Sequence, residues 1–266
     1  MRKKTTVLRE GIGVLLLAAG VYYFRSIRPA PVDTGEGGPT EAAAVAVPDP
    51  AEAIEPIEVD LNTSDALVRR LVAELSSRPT LARWLASDHL IRRFVSAVDL
   101  VAKGDSPRRP LDFIDIEGEF RARKSGDQAL IDSAGYRRYD TVAGVIASLD
   151  ARGSATLYRK LRLPIEQAYR EMGYPVEAFD ATLRKALSDL LETPVVESGI
   201  ALERGILTYT MTDPELEGLS SAQKHFLRMG PENMRVIRQK LEEIAHHLGW
   251  DGAVGLQGSG QRKTGT

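Results

Sequence analysis

Ser221 and Lys224 stand three residues apart, and Lys263-Thr264-Gly265 follows near the C-terminus. On a helix this spacing sets an amine beside a hydroxyl, as penicillin-binding enzymes do to activate a serine nucleophile. Three features argue against that chemistry here. The two motifs are only about forty residues apart, no Ser-Asp-Asn separates them, and the second sits in a Gly/Ser/Thr-rich tail. Ser220 or Ser221 reads better as the cap of a short helix.

The four histidines, His89, His225, His246 and His247, form no metal-ligand pattern. Adjacent helical residues point about 100° apart, so His246 and His247 cannot grip one ion as an i, i+4 pair would. The acids Asp112, Asp115, Glu117 and Glu119 miss the calcium-loop template, because Gly118 falls at the wrong position. Arg121, Arg123 and Lys124 follow them, which favours local ion pairing. The glycine-rich segment 255–261 lacks the Lys-Ser/Thr of a phosphate loop. No catalytic residue, metal or cofactor is expected from these residues.

Three arginine pairs, Arg92-Arg93, Arg108-Arg109 and Arg137-Arg138, have a guanidinium geometry suited to carboxylates or phosphates. The last pair lies between Tyr136 and Tyr139. Tyr136, Arg137, Arg138 and Tyr139 are therefore the candidate contact for an anionic ligand or partner. Intramolecular salt bridges are the competing use of the same arginines.

Helices must carry these residues. Leu67, Val68, Leu71, Val72 and Leu75 share one stripe, with Thr63 or Ser64 placed to cap it. Ile91, Phe94, Val95, Val98 and Val101 form another, stopped at Gly104. Further helical stretches run through 142–149, 157–161 and 165–172. Another is expected to open at Pro175 and carry Phe179, Leu183, Leu187 and Leu190. Pro231 and Gly249 bracket a last helix holding Ile237, Leu241, Ile244 and Leu248. Residues 119–131 and 199–210 read as two short hairpins.

Charge is segregated along the chain. Residues 1–28 hold Arg2, Lys3, Lys4, Arg9, Arg25 and Arg28 against Glu10, for +5; residues 29–60 hold eight acids and no base, for −8. The remainder is +1, and a near-neutral domain argues against nucleic-acid binding. Between the basic groups, Gly11 to Phe24 carries no charge. Extended to Thr5 on one side, it approaches the roughly 20 residues a spanning helix needs, with Arg9 and Glu10 reaching the interface by snorkelling. The basic excess before it predicts a cytoplasmic N-terminus and a domain exported to the other side. A cleavable signal peptide is the rival reading, and it delivers the domain to the same side. The chain has no cysteine, which excludes disulfides, thiolate metal sites and a cysteine nucleophile.

The segments LIRRFVSAVD (90–99), YRRYD (136–140), LYRKLRLPIEQAYREMGYP (157–175) and LSSAQKHFLRMGPENMRVIRQKL (219–241) resemble the bacterial family known as domain of unknown function 3014. The resemblance spans nearly all of the domain and implies a membrane segment and a low-complexity linker before it. It assigns no activity and no site residue.

The expected fold is mainly α: a single multi-helix domain with one or two small β-hairpins, preceded by one transmembrane helix. The expected parts are a basic cytoplasmic N-terminus (1–10) and a transmembrane signal-anchor (11–27). A disordered acidic linker (28–58), the helical domain (59–250) and a disordered tail (251–266) follow. The expected role is a non-catalytic interaction or scaffold domain in the periplasm, single-pass in the inner membrane, with a protein partner in the envelope. The alternatives are a hydrolase or transferase acting on cell-wall or lipid-linked material, and a binder of anionic envelope ligands.

Overall fold

The computed structural model describes residues 54–251, except 115, 117, 119–121, 126–127 and 205–208. The expected signal-anchor, most of the linker and all but the first residue of the tail lie outside the described residues. No described helix is long and apolar enough to cross a membrane.

The described chain enters in extended form, and Ile57 N donates to Lys160 O at 2.7 Å. Three helices follow: α1 (Asp65–Ala73), α2 (Pro79–Trp84) and α3 (Leu90–Ala102). In α3, Leu90, Ile91, Phe94, Val95, Val98 and Val101 are all buried, the face expected from their 3.6-residue period. The strands β1 (Ala122–Ser125) and β2 (Gln128–Ile131) form a hairpin. Then come α4 (Ser133–Arg137), α5 (Asp140–Ala147), α6 (Ala151–Lys160), α7 (Arg162–Glu171) and α8 (Phe179–Leu191).

A second hairpin, β3 (Ala201–Arg204) and β4 (Tyr209–Met211), precedes α9 (Pro214–Glu217), α10 (Ser221–Leu227) and α11 (Pro231–Leu248). The two hairpins are not separate. Ala129 pairs with Leu202 and Leu130 with Ala201, so all four strands make one antiparallel sheet in the order β1-β2-β3-β4. The domain is thus mainly helical with one small sheet.

The helices pack in two sets. α3 lies against α7 and α8, while α11 lies against α5 and α6. Phe179 is fully buried and joins the first set to α6, with ring centroids 5.6 Å from Phe94, 5.2 Å from Tyr169 and 6.5 Å from Tyr158. Removing a phenyl ring from such a site costs about 3–5 kcal/mol. Several helix starts are tied by local side chains. Asp132, Asp150 and Asp213 accept from Ala134 N, Gly153 N and Glu215 N respectively.

One helix begins later than its sequence indicates. Pro175 does not open α8, which starts at Phe179. The cause is Glu177, whose φ of 62° is left-handed and incompatible with a continuous helix from Pro175.

Candidate functional site

The segment between α7 and α8 combines backbone strain, rigid support and exposed apolar side chains. α7 ends at Glu171, whose carboxylate takes Arg92 Nε at 2.7 Å and is held below the usual carboxylate range by that bond. Gly173, with φ of 95°, then reverses the chain; any side chain there would be strained. Tyr174 stacks flat on Tyr169, with centroids 4.1 Å apart and planes 5° from parallel. Lys103 Nζ lies 5.2 Å from the Tyr174 ring centroid and bonds to buried Asp99 at 2.8 Å.

Beyond Tyr174 the chain rises into solvent. Val176 is 65% exposed and Met172 is 42% exposed, the former the most exposed large apolar residue described. Glu177 follows in its left-handed conformation, and its N–H donates to Glu166 Oε2 at 3.0 Å. The Phe179 amide also favours the charged form of that carboxylate. Glu166 is only 7% exposed, and its Oε1 is buried with no hydrogen-bond partner among the described residues. Burial pushes its carboxyl above the ordinary range. The two backbone N–H groups oppose that shift, nearby Asp180 adds to it and Arg162 opposes it. Asp180 in turn accepts the Tyr158 hydroxyl.

The loop is therefore fixed at both ends by buried aromatics, Tyr174 on Tyr169 and Phe179 in the core. Between them Glu166 ties it from below. A pre-organised apolar tip loses little entropy on binding. Among the side chains it exposes are Met172 and Val176, both apolar, and the carboxylate of Glu177.

The residues singled out from sequence fall elsewhere. Tyr139 is fully buried in the core. Arg138 Nη2 donates to the Tyr139 hydroxyl at 2.6 Å, and its guanidinium carbon stands 4.7 Å from that ring's centroid. Tyr136 is half-buried over Gly230, and Arg137 is exposed. Of the other arginine pairs, Arg92 is engaged by Glu171 and Asn62, and Arg93 by Asp112, Pro110 O and Asp88 O.

The charges of Arg228, Arg138 and Arg108 all act on His225. Ser106 Oγ lies 3.2 Å from His225 Nδ1, a serine–histidine contact. It is poorly suited to catalysis. Burial first, then the three arginines, pushes His225 down to about 3, so it is a weak base at neutral pH.

The Ser221/Lys224 pair is also resolved in structural terms. Ser220 is the N-cap of α10 and completes a reciprocal capping box with Gln223. Lys224 Nζ bonds to Glu217 O and Glu217 Oε1, each at 2.8 Å. No group of three metal-ligating side chains occurs among the described residues.

Met172, the last residue of the helical stretch expected over 165–172, lies just past the end of α7, and Val176 falls in a loop where the sequence indicates a helix opening at Pro175. The Gly-Tyr-Pro run at 173–175 is a recognisable turn signal. Nothing local to the sequence shows Glu166 reaching Glu177.

A family model described as "Protein of unknown function (DUF3014)" matches residues 90–245, which include the whole α7–α8 segment. No curated protein and no solved structure matches the chain.

Proposed function

The chain belongs to the DUF3014 family, and from that premise we propose that it is a membrane-anchored envelope protein. Its helical domain, held in the periplasm by the 11–27 segment, is a non-catalytic module that docks a protein partner through the α7–α8 loop. The address rests on the uncharged run 11–24 and the basic residues before it. The acidic, Pro/Ala-rich linker then sets the reach of the domain, about 30 Å as a coil.

The observation that carries the docking role is Val176, an apolar side chain 65% exposed on a loop locked from beneath. Exposed apolar groups on rigid supports favour association, because their desolvation is gained without an ordering cost. The hydrolase reading has less support, since Lys224 is engaged by Glu217 and His225 is a weak base.

A photo-crosslinking residue placed at position 176 of the full chain in its membrane tests the reading. The expected result is one discrete protein adduct, absent when the same residue replaces Val236, an exposed apolar residue on α11. No adduct at 176, or the same adducts at both positions, overturns it. A periplasmic-only reporter fused after Thr266 must be active for the topology to stand.

A further inference from the structure

We infer that Glu166 is an acid-sensitive latch for the α7–α8 loop: its carboxylate holds Glu177 left-handed through Glu177 N–H, and proton uptake releases it. The inference deepens the docking reading, because the same loop presents Met172 and Val176.

The argument starts from the bonds. Glu177 N–H donates to a buried carboxylate whose charged form the Phe179 amide also favours, and bonds to an ionised acceptor are about twice as strong as neutral ones. The conformation they hold is unfavourable for a glutamate, since its Cβ crowds the following carbonyl oxygen. The left-handed turn therefore depends on the charge beneath it. Neutralising that charge halves the attraction and leaves the strain.

The surroundings make neutralisation accessible. Glu166 Oε1 is buried and makes no hydrogen bond to a described residue, so part of the carboxylate has lost water without compensation. α8 brings Asp180 close, a second negative charge that favours a proton on Glu166. α6 contributes Tyr158, whose hydroxyl is committed to Asp180. From its own helix Arg162 acts in the opposite sense. The charged pair of α3, Asp99 and Lys103, acts on Tyr169 and lies by Tyr174. These effects set Glu166 above the ordinary carboxylate value, so that it takes up a proton before an ordinary carboxylate does.

Release is confined to one half of the loop. The Tyr169–Tyr174 stack carries no group that titrates in acid, and Gly173 N donates to Arg170 O at 2.9 Å independently of Glu166. Acid therefore loosens Val176 to Ala178 while Gly173 and Tyr174 stay in place.

Amide hydrogen exchange on the full chain in detergent, resolved to single residues and corrected for the intrinsic pH effect, tests this. Protection of Glu177 is expected to fall at least tenfold relative to Gly173 between pH 7.5 and 4.5. The Glu166→Gln variant is expected to lose that pH dependence. Asp180→Asn, which keeps an acceptor for Tyr158, is expected to move the midpoint to lower pH. Parallel protection of Glu177 and Gly173, or a wild-type pH profile in Glu166→Gln, overturns the latch. No partner takes part in the measurement. A titrating loop without a crosslink at 176 would overturn docking alone, and a crosslink without titration would overturn the latch alone.

Discussion

The ring of Tyr136 lies directly over Gly230, so close that a Cβ on that glycine would stand 2.5 Å from the tyrosine Cγ. Gly230 also has φ of 84° and ψ of 160°, a region open essentially to glycine alone. The contact fixes α4 against the start of α11, where Asn233 Nδ2 reaches Tyr136 O at 3.1 Å and Asp140 Oδ1 at 3.0 Å. Gly230→Ala meets both the clash and the backbone strain. It is expected to cost about 3 kcal/mol or more in urea unfolding. A loss below about 1 kcal/mol would mean that α4 and α11 are not locked this way.

Ser220 and Ser221 separate a cap from a nucleophile. Ser220 Oγ accepts from Gln223 N at 3.2 Å, and Gln223 Oε1 accepts from Ser220 N at 3.2 Å. Ser220→Ala is expected to destabilise the domain by about 1 kcal/mol, and Ser221→Ala to leave stability within about 0.5 kcal/mol. Mass spectrometry after treatment with a β-lactam is expected to show no adduct on Ser221. An adduct there would restore the catalytic reading.

The helical part of this fold is legible because its information is local. The α3 stripe ends at Gly104 (φ 79°), and α11 runs from Pro231 to a left-handed Gly249, as the sequence indicates. Ser64 precedes α1 as expected, yet its hydroxyl turns back to Leu61 O and does not cap. Both hairpins are readable, but their union is not. β2 and β3 meet through Ala129–Leu202 and Leu130–Ala201, residues about seventy positions apart with no mutual signature. The loop site is hidden for a similar reason. Glu166 lies on a helical stripe and looks like any surface acid until the fold brings Glu177 and Phe179 over it.

His225 couples the stability of the domain to acid. Its ordinary value is 6.5 and the fold pushes it down to about 3, chiefly by burial. A base depressed in the folded state contributes stability that is present above the unfolded value and lost as pH falls toward the folded one. Unfolding therefore takes up a proton below about pH 6.5, with a limiting slope of about 1.4 kcal/mol per pH unit. Between pH 6.5 and 5, most carboxylates have yet to titrate, so the slope there belongs mainly to histidine. Urea unfolding of wild type is expected to weaken across that interval more steeply than that of His225→Gln. Parallel curves would show that His225 gains its proton without unfolding.

Glu166 has the opposite sign. Its folded value is raised, so its contribution to stability is fully present below the ordinary carboxylate value of 4.5 and lost as pH rises through the folded one. When ionised, Glu166 is a buried charge with one oxygen unbonded among the described residues. Glu166→Gln keeps an acceptor for the loop amides and removes that charge. Its gain is on the order of 1 kcal/mol, roughly 2–4 °C in Tm for a domain of this size. The advantage is expected at pH 7.5 and should vanish by pH 4, where wild type is protonated too. Scanning calorimetry at the two pH values checks it. The loop should become less protected in the same variant whose melting point rises, because charge that strains the core is the charge that holds Glu177. A variant that melts lower at pH 7.5 would mean that the backbone amides' preference for the charged form outweighs the burial of the carboxylate.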